Sequence, residues 1–69
     1  MDDDIKRIKQ EYPKGTRVVC IRMEDPHGVP ERTEGTVKNV DDIGTIHVAW
    51  ENGSTLGLIP GHDIFKKVA

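Results

Sequence analysis

The stretch from Glu34 to Gly53, EGTVKNVDDIGTIHVAWENG, constrains the fold more than any other part of the chain. Within it, Ile46–Trp50 alternates large apolar residues with smaller or polar ones, which is the period of a β-strand with one buried face. Asn52-Gly53 follows directly and is a strong hairpin signal, because a type I′ turn needs a positive φ at both central residues. The stretch therefore predicts two β-strands joined by a tight turn and closed by a type I′ turn at Asn52-Gly53.

Length and composition leave room for one small soluble domain. The chain has 69 residues, and a domain of this size buries only about 60% of the surface of its unfolded chain. Its hydrophobic content of 35% and net charge of −2 are typical of a globular domain rather than a disordered tail. No apolar run approaches the ~20 residues of a membrane span, and the N-terminus MDDDIKRIKQ does not resemble a secretory signal. Because Cys20 is the only cysteine, we expect no disulfide and a cytoplasmic location.

The N-terminal segment has the pattern of a short amphipathic helix over Asp2–Tyr12. Ile5, Ile8 and Tyr12 fall on one face at positions i, i+3 and i+7, and Pro13 ends the helix. A helix of about three turns is too short to be stable alone in water. We therefore expect residues 1–12 to pack on a β-barrel formed by residues 13–69.

The rest of the chain contains five short stretches with the character of strands. These are Thr16–Met23, Gly35–Val40, Thr45–Trp50, Ser54–Ile59 and Ile64–Val68. In the first of them we favour Val18 and Cys20 as the inward-facing residues. Five strands in so small a domain suggest a closed or nearly closed barrel, which avoids exposed strand edges. The predicted fold is mainly β, a small five-stranded barrel with a short N-terminal helix.

Glu24–Arg32, EDPHGVPER, is the longest irregular stretch, and long loops on small scaffolds often carry binding sites. His27 and Val29 lie near its tip, and Pro26 and Pro30 stiffen it, which lowers the entropic cost of binding. The simpler interpretation is a wide connection between two strands. Both interpretations stay open from the sequence.

Three basic residues lie on the strands that this loop joins. Arg17, Arg22 and Lys38 would complement an acidic partner. A sequence pI near 5.8 nevertheless disfavours nonspecific binding of nucleic acid. Acidic residues beside the three also dilute their field, so a mixed, solvated surface is the simpler interpretation.

No pattern of catalytic or metal-binding residues is visible. His27, His47 and His62 do not have the spacing of a zinc site, and Cys20 lies among apolar neighbours that indicate a buried side chain. The only tryptophan, Trp50, is in phase with the core, although an exposed tryptophan would suit a ligand anchor. We predict no enzyme, no metal and no cofactor.

Several short segments, taken in order, resemble a known family. They are PKGTRV, IRMEDP, GTV, DDIGTIHVAWENGS, LIPG and D-x-F, and they cover about Tyr12–Val68. Together they look like a bacterial domain of unknown function with members in phage and other mobile elements, which implies a small SH3-like barrel. The block GTV followed by V-x-W-[DE]-x-G also resembles KOW-type domains and modules of some ubiquitin ligases, which bind RNA, ribosomal or transcription components, or peptides. Such a resemblance transfers the fold and not the ligand.

These observations together predict a monomeric, non-enzymatic interaction module whose ligand is unknown. We expect a protein partner to contact residues 24–32 and their surroundings. The predicted contact residues are Arg17, Arg22, His27, Val29 and Lys38. The alternative is a weak nucleic-acid-binding accessory protein of KOW-like type, and salt dependence separates the two because phosphate contacts weaken steeply as salt rises.

Overall fold

The computed structural model describes residues 3–25 and 27–68. It contains one helix, α1 (Asp3–Glu11), and four strands, β1 (Arg17–Arg22), β2 (Glu34–Val40), β3 (Ile46–Trp50) and β4 (Ile64–Lys67). The strands form one antiparallel sheet in the order β3-β2-β1-β4. The predicted mainly β fold with a short N-terminal helix is thus confirmed. The sheet is open, since β3 and β4 lie at opposite edges, and the predicted first helical residue, Asp2, lies outside the described residues.

The expected strand over Ser54–Ile59 does not form. Leu58 makes only an isolated bridge to Ile46, in which each N–H donates to the other residue's carbonyl, at 2.9 and 2.8 Å. The ladder stops there because side chains occupy both backbone groups of Leu56. Its carbonyl accepts the indole N–H of Trp50 at 2.8 Å, and its N–H donates to Ser54 Oγ at 3.2 Å.

The core lies on one face of the sheet. Its buried apolar residues are Val18, Cys20, Val29, Val37, Ile46, Val48, Trp50 and Leu58. The inward phases predicted for Val18 and Cys20 and for the third strand are confirmed. Trp50, 4% exposed, is a core residue whose ring covers Gly35, where a Cβ atom would come within 2.8 Å of the indole.

The turn after β3 differs from the predicted type I′ turn. Gly53 N–H donates to the Trp50 carbonyl at 3.0 Å, and Trp50 N–H donates to the Ser54 carbonyl at 3.1 Å. Of Asn52 and Gly53, only the glycine has a positive φ, of 89°. The connection is therefore a three-residue loop, a type I turn followed by a left-handed glycine. The Asp41–Thr45 turn between β2 and β3 has the same pattern, with Gly44 at a φ of 88°.

Helix α1 packs beside the core. Ile8 and Tyr12 contact the core cluster, and the Tyr12 ring meets the Phe65 ring edge to face at 5.6 Å between centroids. Lys9 Nζ lies 2.7 Å from Asp42 Oδ1, which ties the helix to the turn between β2 and β3. No helix among the described residues is long and apolar enough to cross a membrane.

Candidate functional site

A concave pocket of about 100 Å³ opens where β1 ends and β4 begins. One wall follows β1 and the other precedes β4. The two strands meet at this end through the pair of Arg22, the last residue of β1, and Ile64, the first residue of β4. The lining residues are Met23, Glu24, Asp25, Leu56, Gly57, Ile59, His62 and Asp63. We call this the β1–β4 pocket.

A tight turn and a buried carboxylate shape the wall before β4. Pro60-Gly61 occupies the centre of a turn in which His62 N–H donates to the Ile59 carbonyl at 3.0 Å. Gly61 has a φ of 86°, as the third position of a type II turn requires. Asp63, 8% exposed, accepts the Ile59 N–H through Oδ2 at 2.9 Å and returns its own N–H to the Ile59 carbonyl. These two hydrogen bonds fix the wall. They also satisfy the Asp63 carboxylate, whose burial without a partner would cost free energy.

The opposite wall belongs to the loop that the sequence analysis singled out. Asp25 Oδ1 accepts the backbone N–H of His27 at 2.8 Å, which closes a local turn. Farther along, Val29 is buried. Its N–H donates to Met23 Sδ, with 3.4 Å between N and S, and its carbonyl oxygen accepts a hydrogen bond from the Cys20 thiol, with 3.5 Å between S and O. The described part of the loop is thus anchored in the core through Val29.

Apolar and acidic groups both surround the pocket. Ile59 in its wall is 51% exposed, and Met23 and Leu56 add apolar lining that is partly buried. Glu24 and Asp25 contribute carboxylates to the other wall, and both residues are exposed. The pocket therefore offers apolar surface beside negative charge.

Arg17 lies away from the pocket and is already paired. Its guanidinium donates to Glu51 Oε1 at 2.7 Å, to Glu34 Oε1 at 3.1 Å and to Thr36 Oγ1 at 2.9 Å. The hydrogen bond to Glu51 raises the pKa of Arg17, and the bond to Glu34 adds to that effect while partial desolvation opposes it. Two carboxylates thus neutralise the charge that the sequence analysis assigned to an acidic partner.

The structure scatters the other predicted contact residues. Arg22 is exposed beside the pocket with its Nε 4.0 Å from Glu24 Oε1, and His27 is exposed on the loop. Lys38 is exposed on β2 and does not line the pocket. Val29 is 4% exposed, so its expected place at an accessible loop tip is wrong: the side chain fills the core under the loop.

Sequence reasoning singled out the loop that supplies Glu24 and Asp25, but it missed the other residues that line the pocket. It predicted strands over Met23, Leu56 and Ile59, and it assigned no binding role to His62 or Asp63. One available signal was the position of Ile59 directly before Pro60. A proline has no N–H to donate to a neighbouring strand, so the pair indicates that the strand ends there and leaves the isoleucine without strand partners. The pairing of two distant segments carries no comparable local signal.

Cys20 has the environment of an inert thiol. The residue is fully buried, and the predicted burial is confirmed. Burial raises the pKa of the thiol, and the charges of Asp63 and Glu31 raise it further. Because the thiolate is the nucleophile, this environment disfavours reaction at sulfur. Within residues 3–25 and 27–68, no group of three or more His, Cys, Asp and Glu side chains is placed to hold a metal ion.

The pair formed by Asp41 and His47 stabilises a turn. Asp41 Oδ2 lies 2.8 Å from His47 Nε2, and Asp41 Oδ1 accepts the N–H groups of Thr45 and Ile43 at 2.9 and 3.1 Å. The hydrogen bond with His47, followed by that from Thr45, lowers the pKa of Asp41. Asp41 therefore caps its own turn, and neither residue of the pair lines the pocket.

Comparison with known proteins identifies the family. The model of the family described as Domain of unknown function (DUF4314) matches residues 1–68. The chain belongs to this family. Searches of curated proteins and of solved structures gave no match. The family description of this DUF4314 domain carries no activity or ligand, so the role of the β1–β4 pocket is argued from its own residues.

Proposed function

We propose that this DUF4314 domain is a non-enzymatic binding module that holds an apolar side chain of a protein partner in the β1–β4 pocket. The observation that carries the proposal is the pocket itself, which combines a concave shape with an exposed isoleucine, Ile59, in its wall. Partner residues that contribute most to binding are those buried in such pockets near the centre of an interface. The contact surface includes the start of the predicted 24–32 loop and extends to the segment before β4.

The charges around the pocket favour a partner with a basic group beside its apolar anchor. Glu24 and Asp25 are both exposed on the loop wall. Arg22 is near enough to Glu24, at 4.0 Å, to offset part of this charge, whereas no ion pair to Asp25 occurs within the described part of the chain. Complementary charges at the rim raise association rates and select partners. The expected partner is therefore apolar and basic here, in place of the acidic partner expected from Arg17, Arg22 and Lys38.

Nucleic-acid binding of the KOW-like type is the weaker alternative. Phosphate binding needs available basic groups, and Arg17 already shares its charge between Glu34 and Glu51. The SH3-like architecture, the bacterial or mobile-element setting and the cytoplasmic, monomeric state expected from the sequence stay predictions.

Selection of peptides from a displayed random library, on the wild-type domain and on Ile59→Asp, tests the proposal. We expect the wild type to enrich peptides with an aliphatic or aromatic anchor and a neighbouring Lys or Arg. Ile59→Asp should lose them at least ~10-fold in affinity, because a charge is placed in the apolar wall. Lys38→Glu, which changes an exposed charge outside the pocket, is the matched control and should bind as the wild type does.

NMR shift mapping of an enriched peptide completes the test. Perturbations should centre on the residues that line the pocket. Enriched peptides that bind Ile59→Asp unchanged would refute the proposal. Perturbation of Arg22 and Lys38 by a single-stranded oligonucleotide, fading steeply between low and physiological salt, would favour the nucleic-acid alternative.

A further inference from the structure

Strand β4 leaves one side of its backbone unpaired. Among the described helices and strands, it packs only on β1. Val68 N–H donates to the Arg17 carbonyl at 2.9 Å, and the pairing continues regularly from there to Phe65 opposite Cys20. Hydrogen-bonded and non-bonded pairs alternate in an antiparallel ladder, so Lys66 directs its N–H and carbonyl to β1.

By the same alternation, Phe65 and Lys67 direct their backbone groups away from β1. Within the described residues, these two N–H groups and two carbonyls form no backbone hydrogen bond outside the strand ladder. Three of the four residues of the strand are also exposed, and only Phe65 is partly covered. Such an edge is a template onto which another extended chain adds as a further strand.

The charge of the edge decides which chain fits it. Lys66 and Lys67 are adjacent, so their side chains point to opposite faces of the sheet. Lys67 Nζ lies 5.0 Å from the centroid of the Tyr12 ring, and neither lysine has a carboxylate within 4.0 Å in the part of the chain that is described. Both faces of the edge thus carry a positive charge that is not paired.

A second copy of the chain is a poor occupant. Antiparallel pairing of β4 with β4 brings the two lysines of one chain against the lysines of the other. Like charges on directly opposed strand positions are destabilising, and edge lysines are a common device against self-pairing. A segment with carboxylates in the same positions gains two opposite-charge pairs instead.

We propose that the β4 edge binds an extended acidic segment of a partner protein as a fifth strand of the sheet. The segment pairs with the backbone of Phe65 and Lys67 and places carboxylates beside Lys66 and Lys67. This inference rests on the strand edge and its charge, not on the β1–β4 pocket, so either proposal can fail without the other.

Two capped peptides test the inference. One has the sequence Thr-Val-Thr-Glu-Glu-Val-Thr, whose adjacent glutamates reach both faces of the sheet. The matched control carries Lys-Lys in place of Glu-Glu. With the acidic peptide, we expect the amide resonances of Phe65 and Lys67 to shift and their hydrogen exchange to slow. The control should bind about 2- to 30-fold more weakly, the range expected from two cross-strand charge pairs.

Charge reversal in the protein provides the reciprocal test. Lys66→Glu/Lys67→Glu should prefer the Lys-Lys peptide, and the single Lys66→Glu variant serves if the double variant does not fold. Unchanged Phe65 and Lys67 amides at about 1 mM acidic peptide would overturn the inference. So would equal binding of the two peptides, shifts confined to the pocket, or concentration-dependent dimerisation through β4.

Discussion

At some positions of this domain, the backbone conformation restricts which amino acid fits more strongly than side-chain contacts do. Gly53 has a φ of 89°, and a Cβ atom built there meets nothing within 4 Å. A larger side chain would therefore have room, and its only penalty is the left-handed backbone, which is worst for a β-branched residue. This separates conformational strain from steric overlap more cleanly than at Gly35, where a Cβ would come 2.5 Å from Val48 Cγ1.

Gly53→Val should lower the free energy of unfolding by about 1–2 kcal/mol, the cost of a left-handed L-residue. Urea denaturation followed by tryptophan fluorescence measures the change, since Trp50 is adjacent to the turn and buried. Gly53→Asn is the matched control and should lose clearly less, because asparagine tolerates this region. Equal losses for the two variants would contradict the conformational explanation.

At the scale of elements, side chains decide where pairing begins and ends. Asp41 caps the turn between β2 and β3 through two backbone N–H groups. In the segment after β3, Ser54 and Trp50 use the backbone groups of Leu56 that a ladder would need. Local side-chain hydrogen bonds of this kind compete with regular secondary structure. The same mechanism therefore supports one hairpin and cuts short a neighbouring strand.

The Asp41 cap should make stability depend on acid pH. Its hydrogen bonds, first with His47, lower the pKa of Asp41 below the ordinary 3.8. A lowered folded-state pKa contributes stability above the unfolded value and loses it as pH falls through the folded value. The free energy of unfolding of the wild type should therefore fall below about pH 4 by more than that of Asp41→Asn.

Urea midpoints measured from about pH 6 down to pH 2 test this dependence. Asp41→Asn should be less stable than the wild type at pH 6 and change less on acidification. The control is Asp42→Asn, whose carboxylate bonds Lys9 rather than the turn backbone. It should keep the acid dependence of the wild type, and an acid dependence in Asp41→Asn equal to that of the wild type would refute the role of the cap.

At the scale of the whole molecule, the helix and the sheet share one small core. Ile8 from α1 and Tyr12, directly after the helix, contact a cluster supplied mainly by β1, β2 and β3. So short a helix has little stability of its own, and its order depends on this contact. The salt bridge between Lys9 and Asp42, at 2.7 Å, joins exposed groups and adds little to it.

Ile8→Ala should lower the free energy of unfolding by about 1–2 kcal/mol, less than the ~2–5 kcal/mol of a fully buried site because Ile8 is only partly buried. Helical signal by circular dichroism should fall with it. Lys6→Ala, at an exposed position of the same helix, is the control and should change stability by less than ~0.5 kcal/mol. Equal free energies of unfolding for Ile8→Ala and Lys6→Ala would show that the packing of α1 contributes nothing to the core.

Much of the fold was predictable because it depends on local patterns. Alternation placed Ile46, Val48 and Trp50 on the buried face, and the same reasoning placed Val18 and Cys20 there. Turns were predictable in position, since a glycine at positive φ is needed at Gly44 and Gly53. The turn type at Gly53 was not predictable, because the same sequence is compatible with a two-residue and a three-residue loop.

The sequence by itself determined the class of the domain, the phases of its strands and the sites of its turns, since each depends on residues within a few positions of one another. Only the tertiary structure decided that Val29 enters the core, that Leu56 stays out of a ladder, and that the pocket forms between distant segments. The same holds for the neutralisation of Arg17 by Glu34 and Glu51. These outcomes depend on which residues meet across the fold, and neither period nor propensity along the chain contains that information.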